Sequence, residues 1–268
     1  MDPLKIGEKV HLPSEKEYDS KRAYALATDI FSVAFKNHLS NFGSITNFRR
    51  VVETGVPLAV DHIAQEDLDN LLDLLSSPSG RQIFIDPDGL VAKGEHLHMA
   101  REQTRMSIET AESTIDAASI VFAHAVLDAT LFEYCKTCAI VAPNDWTPLI
   151  ENRKVAFSDM RKLTHFEVQT RLIENYLVQL EKESLIEKAD ILHQITALGD
   201  TIRPLHNYEY SMTRLGEIDT RRHGFIHKLG FKNKAGEVKS DIRYLLDTGF
   251  YFLSIVNQKY GLKIDPSK

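Results

Sequence analysis

The chain has 268 residues, 43% of them hydrophobic and 26% charged, with a net charge of −6. That is ample material for a core and the composition of an ordinary globular protein, and it excludes a surface that is basic all over. Its two cysteines, Cys135 and Cys138, exclude a disulfide framework and fit an intracellular compartment.

Charge is uneven. Residues 201–243 hold nine Lys/Arg against five Asp/Glu, whereas residues 1–105 hold twelve against sixteen. An anionic partner is therefore expected near the C-terminal third. The first residues lack a basic segment followed by an apolar one, so no signal peptide is expected. No run approaches eighteen consecutive apolar residues, so no transmembrane helix and no membrane partner are expected, and the expected location is the cytoplasm.

Residues 1–17 mix Pro, Gly and charge and read as a loose arm. Apolar residues at helical spacing (Ala23, Leu26, Ala27, Ile30, Phe31, Ala34) predict a first helix over 21–39. Gly43, Gly55 and Pro57 mark 41–57 as a connection, and a second helical pattern covers 58–75. A short strand over 82–85, a turn at 86–89 and a helical stretch over 95–105 follow. Residues 1–105 thus read as a smaller, mostly helical N-terminal region of unassigned role, and 106–268 as the main domain.

A long helix is predicted over 108–141, with two apolar stripes. One holds Ile115, Ala118, Phe122, Val126 and Ala129, and the other Ile120, Leu127, Leu131 and Cys138. A helix apolar on two sides is expected to be buried on two sides. Glu133 falls in the first stripe, where a carboxylate needs a partner. Residues 143–164 form a polar connection carrying the only Trp, Trp146. The pattern over 165–198 has a highly charged middle, 181–188, where the helix kinks or projects. Helices over 211–229 and 238–259, joined by a basic turn, complete four main helices. Their short connections predict an all-α, up-down four-helix bundle.

The densest chemistry lies on the third of these helices, in Arg222-His223-Gly224-Phe225-Ile226-His227. Arg222 belongs to the apolar stripe of Leu215, Ile218, Phe225 and Ile226. Gly216, Thr220, His223 and His227 form a second face that admits a close neighbour and presents two imidazoles, which titrate near neutrality. The plain alternative is an Arg whose stem packs on the core beside two interface histidines.

This motif resembles the signature of the HEPN family: Arg, four to six residues, then His, with a polar residue after the Arg. His223 fills that polar position, and Arg221 satisfies the spacing with one more residue. The resemblance covers about residues 108–268. It implies a four-helix bundle, a homodimer and a metal-independent endoribonuclease that leaves a 2′,3′-cyclic phosphate, with no cofactor and RNA as substrate. It further implies an effector of a defence or toxin–antitoxin system, held in check by an antitoxin or other regulatory protein. His227 is then the acid/base and Arg222 the phosphate stabiliser. His223 assists and Arg221 contacts the backbone. From the residues themselves, Glu133 and Arg222 lie at the centres of facing apolar stripes, so Glu133, or alternatively Asp128, is expected to orient Arg222. On a straight helix Arg222 and His227 stand about 140° apart, so the motif reads as half of a site that a second subunit completes. Other candidates are weaker. The Cys135/Cys138 pair lies within a helix and lacks two further ligands. His96 and His98 have no third ligand, and 86–89 is too short for a calcium loop.

Overall fold

The computed structural model describes residues 20–76, 93–153, 163–196, 209–227, 235–262 and 264; within these, the side chains at 20, 56–65, 67–76, 93–101, 103–105, 107–113, 227, 235 and 236 lie outside the description. The described residues contain seven α-helices and no strand: α1 (Ser20–Ser76), α2 (Lys93–Val141), α3 (Thr147–Ile150), α4 (His165–Leu180), α5 (Leu185–Thr196), α6 (Met212–His227) and α7 (Ala235–Tyr260). A 3-10 turn, Pro143–Trp146, precedes α3. The fold is all-α. The strand and turn expected over 82–89 lie outside the described residues.

Helix α1 continues through the stretch expected to be a connection. Phe42, Ile45 and Arg49, spaced i, i+3 and i+7, bury one face. A Cβ added at Gly43 or Gly55 would meet nothing within 4 Å, so both face open space and lower helix propensity without breaking packing. At 57 residues and about 1.5 Å per residue, α1 is about 85 Å long.

Helices α1 and α2 form an antiparallel pair. Phe31 meets Tyr134 with ring centroids 4.8 Å apart, His38 Nδ1 lies 3.2 Å from Thr130 Oγ1, and Arg49 pairs with Asp116. Helix α7 runs antiparallel to α1 on another side. Tyr24 donates to the Gly261 carbonyl, Phe35 meets the Phe250 ring at 5.6 Å, and His38 Nε2 donates to the Leu246 carbonyl at 3.1 Å. Gly261, at φ 66°, takes the left-handed conformation that ends α7. Gly249 is required by His38: a Cβ at that position would stand 2.2 Å from the imidazole.

One apolar core runs through these elements, from Ala23, Ala27 and Phe31 of α1 through Leu127 and Leu131 to Leu245, Phe252 and Val256 of α7. The expected boundary between 105 and 106 therefore falls inside a continuous helix, and the first half of α1 belongs to the common core. Of the two α2 stripes, Ile120, Leu127, Leu131 and Cys138 are buried, whereas the other is mixed: Val126 is buried and Phe122 is 52% exposed. Thr114–Val141 is long and apolar enough, by length and composition alone, to cross a membrane. Here that segment is the central helix, touching α1, α4, α5, α6 and α7.

The charged middle of 165–198 is a break. Helix α4 ends at Leu180, and Ser184 starts α5 with a reciprocal cap: its hydroxyl accepts from Glu187 N, and its own N–H donates to Glu187 Oε2, both at 3.2 Å. Helix α5 is then tied to α2 by Lys188, only 1% exposed, whose ammonium reaches both Asp128 oxygens at 2.8 Å and the Glu181 carbonyl at 3.2 Å. Trp146 is fully buried and meets Tyr176 edge-on at 5.9 Å.

Candidate functional site on helix α6

Helix α6 is anchored by Leu215 and Ile218, both fully buried. At its start, Tyr244 of α7 accepts from Ser211 N at 2.8 Å and donates to the Ser211 carbonyl at 2.9 Å. Gly216 lies against α5, where a Cβ would stand 3.7 Å from Ile186 Cδ1. The glycine-lined face is therefore partly used inside the fold. Farther along that face Thr220 and His223 are exposed.

The two adjacent arginines have different environments. Arg221 makes a two-point pair with Asp241 of α7, Nε to Oδ2 at 2.9 Å and Nη2 to Oδ1 at 2.8 Å. The Asp241 side chain is only 5% exposed. Burial pushes its carboxyl above the usual range, while Arg221 pulls it back down. Arg221 therefore fastens α6 to α7.

Arg222 is held by a carboxylate of its own helix. Its Nε and Nη2 lie 3.1 and 3.0 Å from Asp219 Oδ1, and both side chains keep just over a quarter of their surface exposed. The same oxygen stands 2.9 Å from Nε2 of His124, a buried imidazole on α2. That last approach is close without being a directed hydrogen bond, and His124 Nε2 is left with no well-aligned partner. Burial lowers the His124 pKa, Arg222 lowers it further, and Asp219 and Asp128 act in the opposite direction.

Glu133 takes another partner than the one expected. Its carboxylate accepts from Lys136 Nζ at 2.7 Å, and with 23% of its side chain exposed it is not a sealed charge. Asp128, the alternative, is engaged by Lys188. The carboxylate on Arg222 is Asp219, one turn earlier on the same helix, a spacing at which opposite charges meet. His227 is the last residue of α6 and its side chain lies outside the described residues, as do those of His96 and His98.

Sequence reasoning missed His124 and Asp219. His124 sits three and seven residues before the buried Leu127 and Leu131, a register that places an imidazole on the core side. Among the described residues no group of three or more His, Cys, Asp or Glu is arranged to hold a metal ion. Cys135 and Cys138 are buried, and burial raises both thiol pKa values, as for packing groups.

What α6 offers chemically is a partly exposed guanidinium balanced by a partly exposed carboxylate, with a buried imidazole behind them. No protein-family model matches this chain, and no curated protein or solved structure matches it either.

Proposed function

We propose that the chain is a HEPN-like, metal-independent endoribonuclease whose site is built on the second half of α6. The reaction is transesterification. The 2′-OH of RNA attacks the adjacent phosphorus, the bond to the 5′-oxygen breaks, and a 2′,3′-cyclic phosphate and a 5′-OH result. His227 moves the proton, Arg222 balances the charge on the phosphorane, and His223 assists. The resemblance, and the wide angle between Arg222 and His227 on one helix, argue for a homodimer in which two copies compose the site. The setting proposed with it is a cytoplasmic defence or toxin–antitoxin effector with a regulatory protein partner.

The observation that carries this reading is the contrast between the two arginines. A phosphate that drew Arg221 away would strand Asp241, a buried carboxylate, whereas one that drew Arg222 away would leave Asp219 in reach of water. Arg222 is thus the guanidinium that can change partners at little cost. Arg221, which the resemblance would set on the RNA backbone, is proposed to hold α6 in place.

The test is cleavage of RNA in EDTA by wild type, Arg222→Ala and His227→Ala, with the product ends identified. Cleavage to a 2′,3′-cyclic phosphate by wild type alone supports the reading, and equal cleavage by His227→Ala overturns it. Because Asp219 already neutralises Arg222, a second reading stands beside it: a non-catalytic helical module that binds RNA or a partner protein. RNA binding without cleavage by any form decides for that one.

A further inference from the structure

Asp219 Oδ1 is asked to serve three nitrogens: Arg222 Nε at 3.1 Å, Arg222 Nη2 at 3.0 Å and His124 Nε2 at 2.9 Å. A carboxylate oxygen has about two lone-pair directions. Arg222 Nε makes a directed hydrogen bond to Asp219 Oδ1, whereas Arg222 Nη2 and the buried His124 Nε2 approach it as ion-pair contacts. His124 is nonetheless buried, and Asp219 is the carboxylate beside its Nε2. Arg222 and His124 thus lean on the same carboxylate oxygen, and His124 is the one of the two whose charge can change.

We infer that His124 is a positioning residue for Arg222: when its ring is protonated it draws Asp219 toward itself and makes the guanidinium freer for a phosphodiester, and when neutral it leaves Asp219 to Arg222. The inference rests on the ribonuclease reading for the identity of the ligand. A charged imidazolium makes a charge-assisted hydrogen bond, about twice as strong as a neutral one, so protonation changes which donor Asp219 prefers. The charged groups that act on His124 are Asp219 and Arg222 from α6 and Asp128 from its own helix, and Asp128 is itself paired with Lys188 of α5. Asp128 is thereby occupied, and Asp219 is the carboxylate at 2.9 Å that the ring can recruit.

The linkage is reciprocal. Arg222 holds His124 toward its neutral form, so a phosphate that neutralises Arg222 makes His124 easier to protonate. RNA binding and proton uptake at a buried ring on a different helix thus favour each other. Affinity for the phosphate backbone rises as pH falls, and the part of that rise owed to His124 disappears when its ring is replaced.

The experiment has two arms. In the first, the His124 imidazole is titrated by NMR in wild type, Arg222→Gln and Asp219→Asn. Its pKa is expected to rise when Arg222 is neutralised and to fall when Asp219 is; no change in either variant overturns the inference. In the second, binding of a non-cleavable 2′-deoxy oligonucleotide is measured from about pH 8 to about pH 5.5 for wild type, His124→Gln and Asp219→Asn. Wild-type affinity is expected to rise by up to about fivefold, His124→Gln to lose most of that rise, and Asp219→Asn to bind tightly across the range. A full rise in His124→Gln overturns this inference and leaves the ribonuclease reading standing. No binding by any of the three at any pH overturns both.

Discussion

Arg221 and Asp241 meet at two points, 2.9 and 2.8 Å, across the junction of α6 and α7, with the Asp241 side chain 5% exposed. Removing one member of such a pair leaves the other charge buried, at a cost of about 3 kcal/mol or more. Arg221→Gln is therefore expected to unfold at clearly lower urea concentration than wild type. The double variant Arg221→Gln/Asp241→Asn, which pairs two neutral amides, should recover part of the loss.

The neighbouring arginine should behave the opposite way. Arg222 and Asp219 are each more than a quarter exposed, and pairs of that kind contribute about 0–1 kcal/mol. Arg222→Ala is expected to unfold within that margin of wild type while losing RNA cleavage. A denaturation midpoint as low as that of Arg221→Gln would show that Arg222 is a structural group.

His38 and Gly249 form a shape-matched pair. A Cβ on residue 249 would overlap the imidazole at 2.2 and 2.3 Å, and His38 is clasped on both ring nitrogens. Overpacking of that kind costs about 1–3 kcal/mol. Gly249→Ala should be clearly destabilising on its own and much less so in a His38→Ala background. A thermal-unfolding double-mutant cycle that shows plain additivity would refute the wedge.

Stability should also fall in mild acid. Burial lowers the pKa of His38, His124 and His193 below 6.5. The unfolded chain therefore binds these protons first, and the folded state loses stability as pH falls below 6.5 until the folded pKa values are reached. His38→Gln should flatten the dependence of the urea midpoint on pH between about 7 and 5; an unaltered slope would mean that His38 contributes nothing to it.

The helices are legible in the sequence wherever burial repeats at helical spacing. Ile242, Leu245, Phe252 and Val256 mark α7, and Leu215 and Ile218 mark α6. Gly43, Gly55 and Pro57 suggest a break that does not occur, because such punctuation is weak when a distant helix offsets the cost of continuity. Phe42 and Ile45 find that partner in α2, far along the chain. Within the site, Arg222 and His223 stand out as a local pattern. Asp219 is equally local, but a single acid in an acidic chain carries no signal. His124 comes from another helix, far back along the chain, and only packing brings it to the arginine. Glu133, which a helical wheel sets in an apolar stripe in need of a distant cation, finds Lys136 three residues on along its own helix.

Tyr24, near the start of the described chain, reaches the Gly261 carbonyl at its other end. That bond ties residues 237 apart in sequence, and the α1–α7 seam behind it has the same long-range character. Contacts so distant along the chain form only after large loops have closed, so this seam is expected to be a late and slow step of folding. It also makes the fold nearly circular. A chain with its ends linked beside Tyr24 and Gly261 and opened elsewhere should reach the same native state, whereas one started at residue 106 would lack the helix that closes the ring.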